Sequence, residues 1–154
     1  VRIPSWCDAP ELTVNGEKID LVFGRAILTL SRTWKNGDVV NLRLPMEVKV
    51  SEWAENSKAV ERGPLVYGLK LDQKWGKGED EKEGTYFTVS TNDAWNYGLV
   101  QSELEDIKTH ANVKTQPLSD DFKWNLENSP LEISLQAKKI PDWKAVNGLA
   151  YLPV

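Results

Sequence analysis

Acid–base chemistry such as glycoside hydrolysis needs two carboxylates across a cleft, and the chain offers two groups of them. Glu52, Glu55 and Glu61 surround a mid-chain corner, and Glu103, Glu105 and Asp106 form a second set. Solvated charges on outward faces and loops are the ordinary fate of such residues, and sequence places no two of them across a cleft. His110 is the single histidine, so a nucleophile–base pair has no choice of partner, and its polar setting reads as an exposed loop. Cys7, the single cysteine, follows Trp6 and has only Arg2 nearby to lower its pKa, so it reads as a buried structural thiol. Glu79-Asp80-Glu81 lacks the alternating ligand spacing of a calcium loop and reads as a solvated acidic run. No glycine-rich phosphate loop opens a helix. The residues therefore point to no catalytic group, no metal and no cofactor.

Aromatic side chains give the sharper expectation. Seven tryptophans occur in 154 residues. The C–H face of a sugar packs on an aromatic ring, and Trp75, Trp95 and Tyr97 are the candidates for carbohydrate contact. Trp34, Trp53 and Trp143 stand at strand ends, where an aromatic more often plugs the core and points its N–H at a carbonyl. Arg62-Gly63-Pro64 is a candidate structural corner. Pro64 fixes its own φ and turns Gly63 away from helical geometry, and Arg62 is expected to be tied to backbone carbonyls or to Glu61 or Glu52.

The elements that must carry these residues are short strands. Leu12-Thr13-Val14, then Asn15-Gly16, then Glu17 to Val22 reads as a hairpin. Gly24-Arg25 turns the chain into an expected strand over Ala26 to Leu30, and Asn36-Gly37-Asp38 makes the next turn. Val40, Leu42 and Leu44 alternate with Val39, Asn41 and Arg43, and Met46, Val48 and Val50 alternate with Glu47, Lys49 and Ser51. Period-two alternation implies one buried and one wet face. Ala54 to Ala59 reads as a polar connection with room for one helical turn. Leu65 to Leu71 suits a strand buried on both faces.

Lys74 to Gly84, dense in glycine and charge, reads as a solvated loop with little order. Further strands are expected over Tyr86 to Ser90, Trp95 to Val100, Leu104 to Lys108, Val113 to Pro117 and Leu131 to Ala137. Asn147-Gly148 turns into a last segment, Tyr151 to Val154. The sum is about nine or ten short strands at roughly 8–12 residue spacing, an all-β antiparallel sandwich, jelly-roll-like, with little helix.

The bulk numbers bound the rest. The net charge of −4 is unclustered, against a nucleic-acid surface. No apolar run approaches the roughly 18 residues of a spanning helix. One cysteine allows no internal disulfide. The chain begins at Val1 without a charged-then-apolar leader and reads as a processed chain or a piece of a larger one. The compartment expected is periplasmic or secreted, in a bacterium.

Several strings occur in a telling order: Arg2-Ile3-Pro4-Ser5-Trp6, Val14-Asn15-Gly16, Thr33-Trp34-Lys35-Asn36-Gly37-Asp38, Leu44-Pro45-Met46, Glu61-Arg62-Gly63-Pro64-Leu65-Val66-Tyr67, Trp95-Asn96-Tyr97-Gly98-Leu99 and Ile140-Pro141-Asp142-Trp143. This set resembles the C-terminal part of the β-L-arabinofuranosidase-like glycoside hydrolases (family 127 and relatives) over nearly the whole chain. The resemblance implies an (α/α)6 barrel followed by β-sandwich domains, with a cysteine nucleophile and a cysteine-bound zinc outside the matched region. Cys7 matches a sandwich position there, not the nucleophile. Residues 1–154 are thus expected to form a single β-sandwich accessory domain that braces or completes an upstream catalytic barrel of the same parent. The alternative is a carbohydrate-binding module that holds a plant-derived glycan through rim aromatics.

Overall fold

The Asn15-Gly16 pair turns the chain with both residues at positive φ (54° and 84°), as a two-residue hairpin requires. It joins β1 (Glu11–Val14) to β2 (Glu17–Lys18). In the computed structural model, residues 1–21, 27–146 and 149–150 are described. The Gly24-Arg25 turn, the ends of the strands expected on either side of it, the Asn147-Gly148 turn and the Tyr151–Val154 segment lie outside the described residues. The remaining strands are β3 (Val40–Arg43), β4 (Val48–Glu52), β5 (Lys58–Arg62), β6 (Leu65–Tyr67), β7 (Lys74–Asp80), β8 (Gly84–Ser90), β9 (Tyr97–Leu99), β10 (Asn112–Thr115), β11 (Leu131–Ser134), β12 (Ala137–Lys139), β13 (Ala145–Val146) and β14 (Leu149–Ala150). The fold is all-β, and among the described residues every strand pair is antiparallel and the strands number fourteen, more than the nine or ten expected.

The chain divides into two compact units. The first, Val1–Tyr67, holds two three-stranded sheets, ordered β2-β1-β3 and β4-β5-β6. In β1 the alternation is clean: Leu12 and Val14 are fully buried, and Glu11 is exposed. Each buried aliphatic of this kind contributes about 1.5–3 kcal/mol. Cys7, Val48 and Val60 are buried in the same unit. The face expected to be buried in β3 is open, with Val40 41% and Leu42 36% exposed. Alternation reports that two faces differ, but burial needs a layer to cover one of them. In the described part of the expected strand over Ala26 to Leu30, Ile27 bridges Arg2 and Leu28 exchanges hydrogen bonds with Val1 at 2.7 Å in each direction. A single 3-10 turn forms at Ala54–Asn56, between β4 and β5.

The mid-chain corner is a tight turn between β5 and β6. Gly63 sits at φ 61°, and a Cβ there would come within 2.5 Å of the Met46 sulfur. The run after it is not buried on both faces, because β6 ends at Tyr67 and Val66 is 71% exposed. Only one side of this short strand is covered.

The second unit, Gly68–Val154, carries four two-stranded pairings: β7-β8, β9-β12, β10-β11 and β13-β14. The expected loop over Lys74 to Gly84 is instead β7 and the turn of a hairpin. Glycines 76 and 78 weaken a strand, yet here they stand opposite Thr88 and Tyr86, whose side chains lie over them. The turn closes on Asp80, whose carboxylate accepts the N–H groups of Lys82 and Glu83 at 2.8 and 3.1 Å.

Leu104 to Lys108 is helical rather than extended, within α1 (Gln101–Glu105) and α2 (Ile107–His110). The two turns break at Asp106 (φ −130°, ψ 58°), and Ile107, the first residue of α2, is buried. The single strand expected over Leu131 to Ala137 is two. Its first half pairs with β10 and its second half begins β12, which pairs with β9. Among the described residues no helix is long and apolar enough to cross a membrane.

Candidate functional site

Alternation in β4 builds the most chemically equipped surface of the first unit. Val48 and Val50 point one way, and Val60 lies opposite Val50 in the ladder. Glu47, Lys49 and Ser51 point the other way, with Glu61 of β5 opposite Lys49. Lys49 pairs with Asp8 at 2.5 Å and donates to the Trp6 carbonyl at 3.2 Å. Ser51 donates to the Glu61 carboxylate at 2.5 Å and accepts the indole N–H of Trp53 at 3.0 Å. A hollow of about 280 Å3 opens here, lined by Ser5, Trp6, Glu47, Lys49, Glu61 and Gly63. The first unit has a second hollow, of about 450 Å3 and mostly apolar lining, beside Val1, Ile27 and Trp34.

Of the sequence candidates, Glu61 and Gly63 belong to this hollow. Their neighbour Arg62 is not tied as expected. Arg62 Nη1 is buried without a hydrogen-bond partner. The two carboxylates expected to hold Arg62 are engaged elsewhere: Glu61 with Ser51, and Glu52 with Lys58. Successive residues of a strand face opposite ways, so Glu61 and Arg62 diverge. Pro64 is exposed at the turn. Lys49, Ser51, Trp6 and Asp8 were not singled out by sequence. The Glu47-Lys49-Ser51 alternation was the available signal for the first two. Trp6 and Asp8 arrive from a distant segment and gave none.

The second unit divides the aromatic candidates. Trp75 stands on β7, 66% exposed, its indole N–H held by Gln73 at 3.2 Å. On the same face of the hairpin are Val89, opposite it, and Phe87, diagonal to it; both are exposed. Trp75 is thus on a strand, not in a loop. Trp95 packs edge-on against Trp143, with ring centroids 5.2 Å apart at 74°. Asn96 clamps the segment by donating to the carbonyls of Ile140 and Trp143 at 2.8 and 3.2 Å. Tyr97 follows on β9, 38% exposed, opposite Lys139 in the ladder. Trp143 Nε1 is buried and reaches no carbonyl.

The remaining candidates are accounted for locally. Cys7 is buried. His110 is exposed, with Nδ1 3.0 Å from the Asp106 carbonyl. Glu103 accepts the Gln136 N–H at 3.2 Å. The Lys82 and Glu83 N–H groups hold the Asp80 carboxyl below its ordinary pKa, which makes that acidic run turn chemistry. Asp38 is lowered likewise, first by the Lys35 N–H and then by the Asn15 amide.

Comparison with known proteins bears on the first unit. Residues 1–46 match the family described as beta-L-arabinofuranosidase, GH127 middle domain. No curated protein shows a matching sequence. Among solved structures, the chain is similar to Ara127N, a GH127 β-L-arabinofuranosidase from Geobacillus stearothermophilus T6. The identity is 21%, the TM-score is 0.40, and the match covers 89% of this chain and 22% of that one. The chain therefore spans less than a quarter of that enzyme's length. The likeness to the GH127 middle domain thus rests on residues 1–46, which carry the hairpin and the Trp34 turn.

Proposed function

We propose that this chain is a non-catalytic β-sandwich accessory domain of a glycoside hydrolase, which braces a catalytic barrel in the same polypeptide. The match of residues 1–46 to a GH127 middle domain carries this reading. Two observations agree with it. Cys7 is buried, where a thiol is an inert packing group. The exposed apolar residues Val40 and Leu42 of β3 and Val66 of β6 offer surface for a neighbouring domain. The test is hydrolysis of β-L-arabinofuranosides by the purified chain. No turnover is expected, and measured turnover would overturn the reading. Supplying the chain in trans to a GH127 barrel stripped of its own middle domain should raise that barrel's melting temperature by a few degrees. An unchanged melting temperature would count against bracing.

A second reading, carbohydrate contact through Trp75, is favoured by its exposure beside Phe87 on one face of the hairpin. Arabinan titration that leaves the fluorescence of the chain unchanged at millimolar concentration would retire it.

A further inference from the structure

The hollow between β4, β5 and the Ser5-Trp6 segment has a chemistry that bracing does not require. Lys49 and Glu61 are directly opposite in the ladder, a relation that puts Cβ atoms about 4.5–5.5 Å apart. Opposite charges so placed ordinarily close on each other. Here each bonds elsewhere, Lys49 to Asp8 and the Trp6 carbonyl, Glu61 to Ser51. An ammonium and a carboxylate therefore line one cavity side by side.

Both retain bonding capacity, since an ammonium carries three N–H groups and a carboxylate about four acceptor positions. Two neighbouring hydroxyls match that pair: one donates to Glu61 while the next accepts from Lys49. Glu47 lines the same hollow, so an anionic ligand meets repulsion from Glu47 and Glu61, and a cationic one from Lys49. Trp6 and Ser5 complete the lining, one residue able to offer an aromatic ring to C–H groups and one able to offer a hydroxyl. About 280 Å3 accommodates one small ring rather than an extended chain.

We propose that this hollow binds the vicinal diol of a single neutral sugar or cyclic polyol ring, gripped between Lys49 and Glu61 against Trp6. The site is independent of the accessory role, which the hydrolysis and trans-stabilisation experiments judge separately.

The test titrates the 154-residue chain with myo-inositol and with L-arabinose, followed by saturation-transfer NMR, with 1,4-dioxane as the ring without hydroxyls. Saturable binding of both polyols in the millimolar range is expected, and none of dioxane. Losing a hydrogen bond to a charged group should weaken binding by about tenfold in Lys49→Met and again in Glu61→Gln. Far-UV circular dichroism checks that each variant is folded.

Should a variant unfold, the wild type still decides. Bound myo-inositol should slow reductive methylation of Lys49 and leave Lys70 unaffected, read by mass spectrometry. Absence of saturable binding, equal affinity in the folded variants, or unprotected Lys49 would each overturn the proposal. So would binding lost in Trp75→Ala but kept in Lys49→Met, which would assign the ligand to the hairpin instead.

Discussion

The Tyr86 ring lies across Gly78, so close that a Cβ at position 78 would come within 2.4 Å of the ring's Cζ. The two residues are register partners in β7 and β8. A glycine that weakens its own strand is thus covered by the aromatic opposite it. Gly78→Ala should push the ring out and destabilise the chain by about 1–3 kcal/mol in denaturant unfolding. Gly68→Ala is the control, since no heavy atom lies near its added methyl. Equal midpoints for the two variants would contradict the packing described.

Gly63→Ala meets two obstacles, a positive φ and the Met46 side chain. The left-handed conformation alone costs about 1–2 kcal/mol for a residue with a Cβ. The double variant Gly63→Ala/Met46→Ala should recover the steric part and keep the backbone part. Full recovery of stability would show that conformation at residue 63 is immaterial.

Leu12 and Leu42 are directly opposite in the ladder, but only Leu12 is fully buried. Leu12→Ala should therefore cost about 2–5 kcal/mol, and Leu42→Ala well under half of that. Similar losses at the two sites, measured by thermal unfolding, would mean that β3 is covered.

Glu132 is held below its ordinary pKa of 4.5, first by the hydrogen bond from Lys70, then by the charges of Lys70 and Lys114. A carboxylate depressed in the folded state stabilises above its unfolded pKa, and that contribution fades as pH falls through the folded value. The slope of stability against pH below 4.5 should accordingly flatten in Lys70→Met. An unchanged slope would show that the pair, exposed as it is, contributes nothing measurable.

What was legible in the sequence was local. Asn15-Gly16 and Gly37 announced their turns because only certain residues take positive φ cheaply. The β4 alternation put Lys49 and Ser51 on the strand face opposite Val48 and Val50, although only Val48 is buried and the next three residues are half-buried. The misreadings depended on partners outside the segment being read. Lys74 to Gly84 looked like a loop because glycine and charge disfavour strands, while the compensating cover comes from Thr88 and Tyr86. Val40 and Leu42 looked buried because alternation cannot say whether a second layer exists. The hollow beside Lys49 escaped notice for the same reason, since Trp6 and Asp8 lie over forty residues upstream.

The divided run over 131–139 links two ladders in series. Its first half is bound to β10 and its second to β9, so tension on either ladder is transmitted through Leu135 and Gln136. That joint is stapled at both poles of one peptide-bearing residue: Gln136 gives its N–H to the Glu103 carboxylate and its C=O to Val100 N–H. The short helix α1 thereby acts as a rivet. Glu103→Ala should therefore speed hydrogen exchange at the Gln136 amide, which loses its acceptor at the joint between the two ladders.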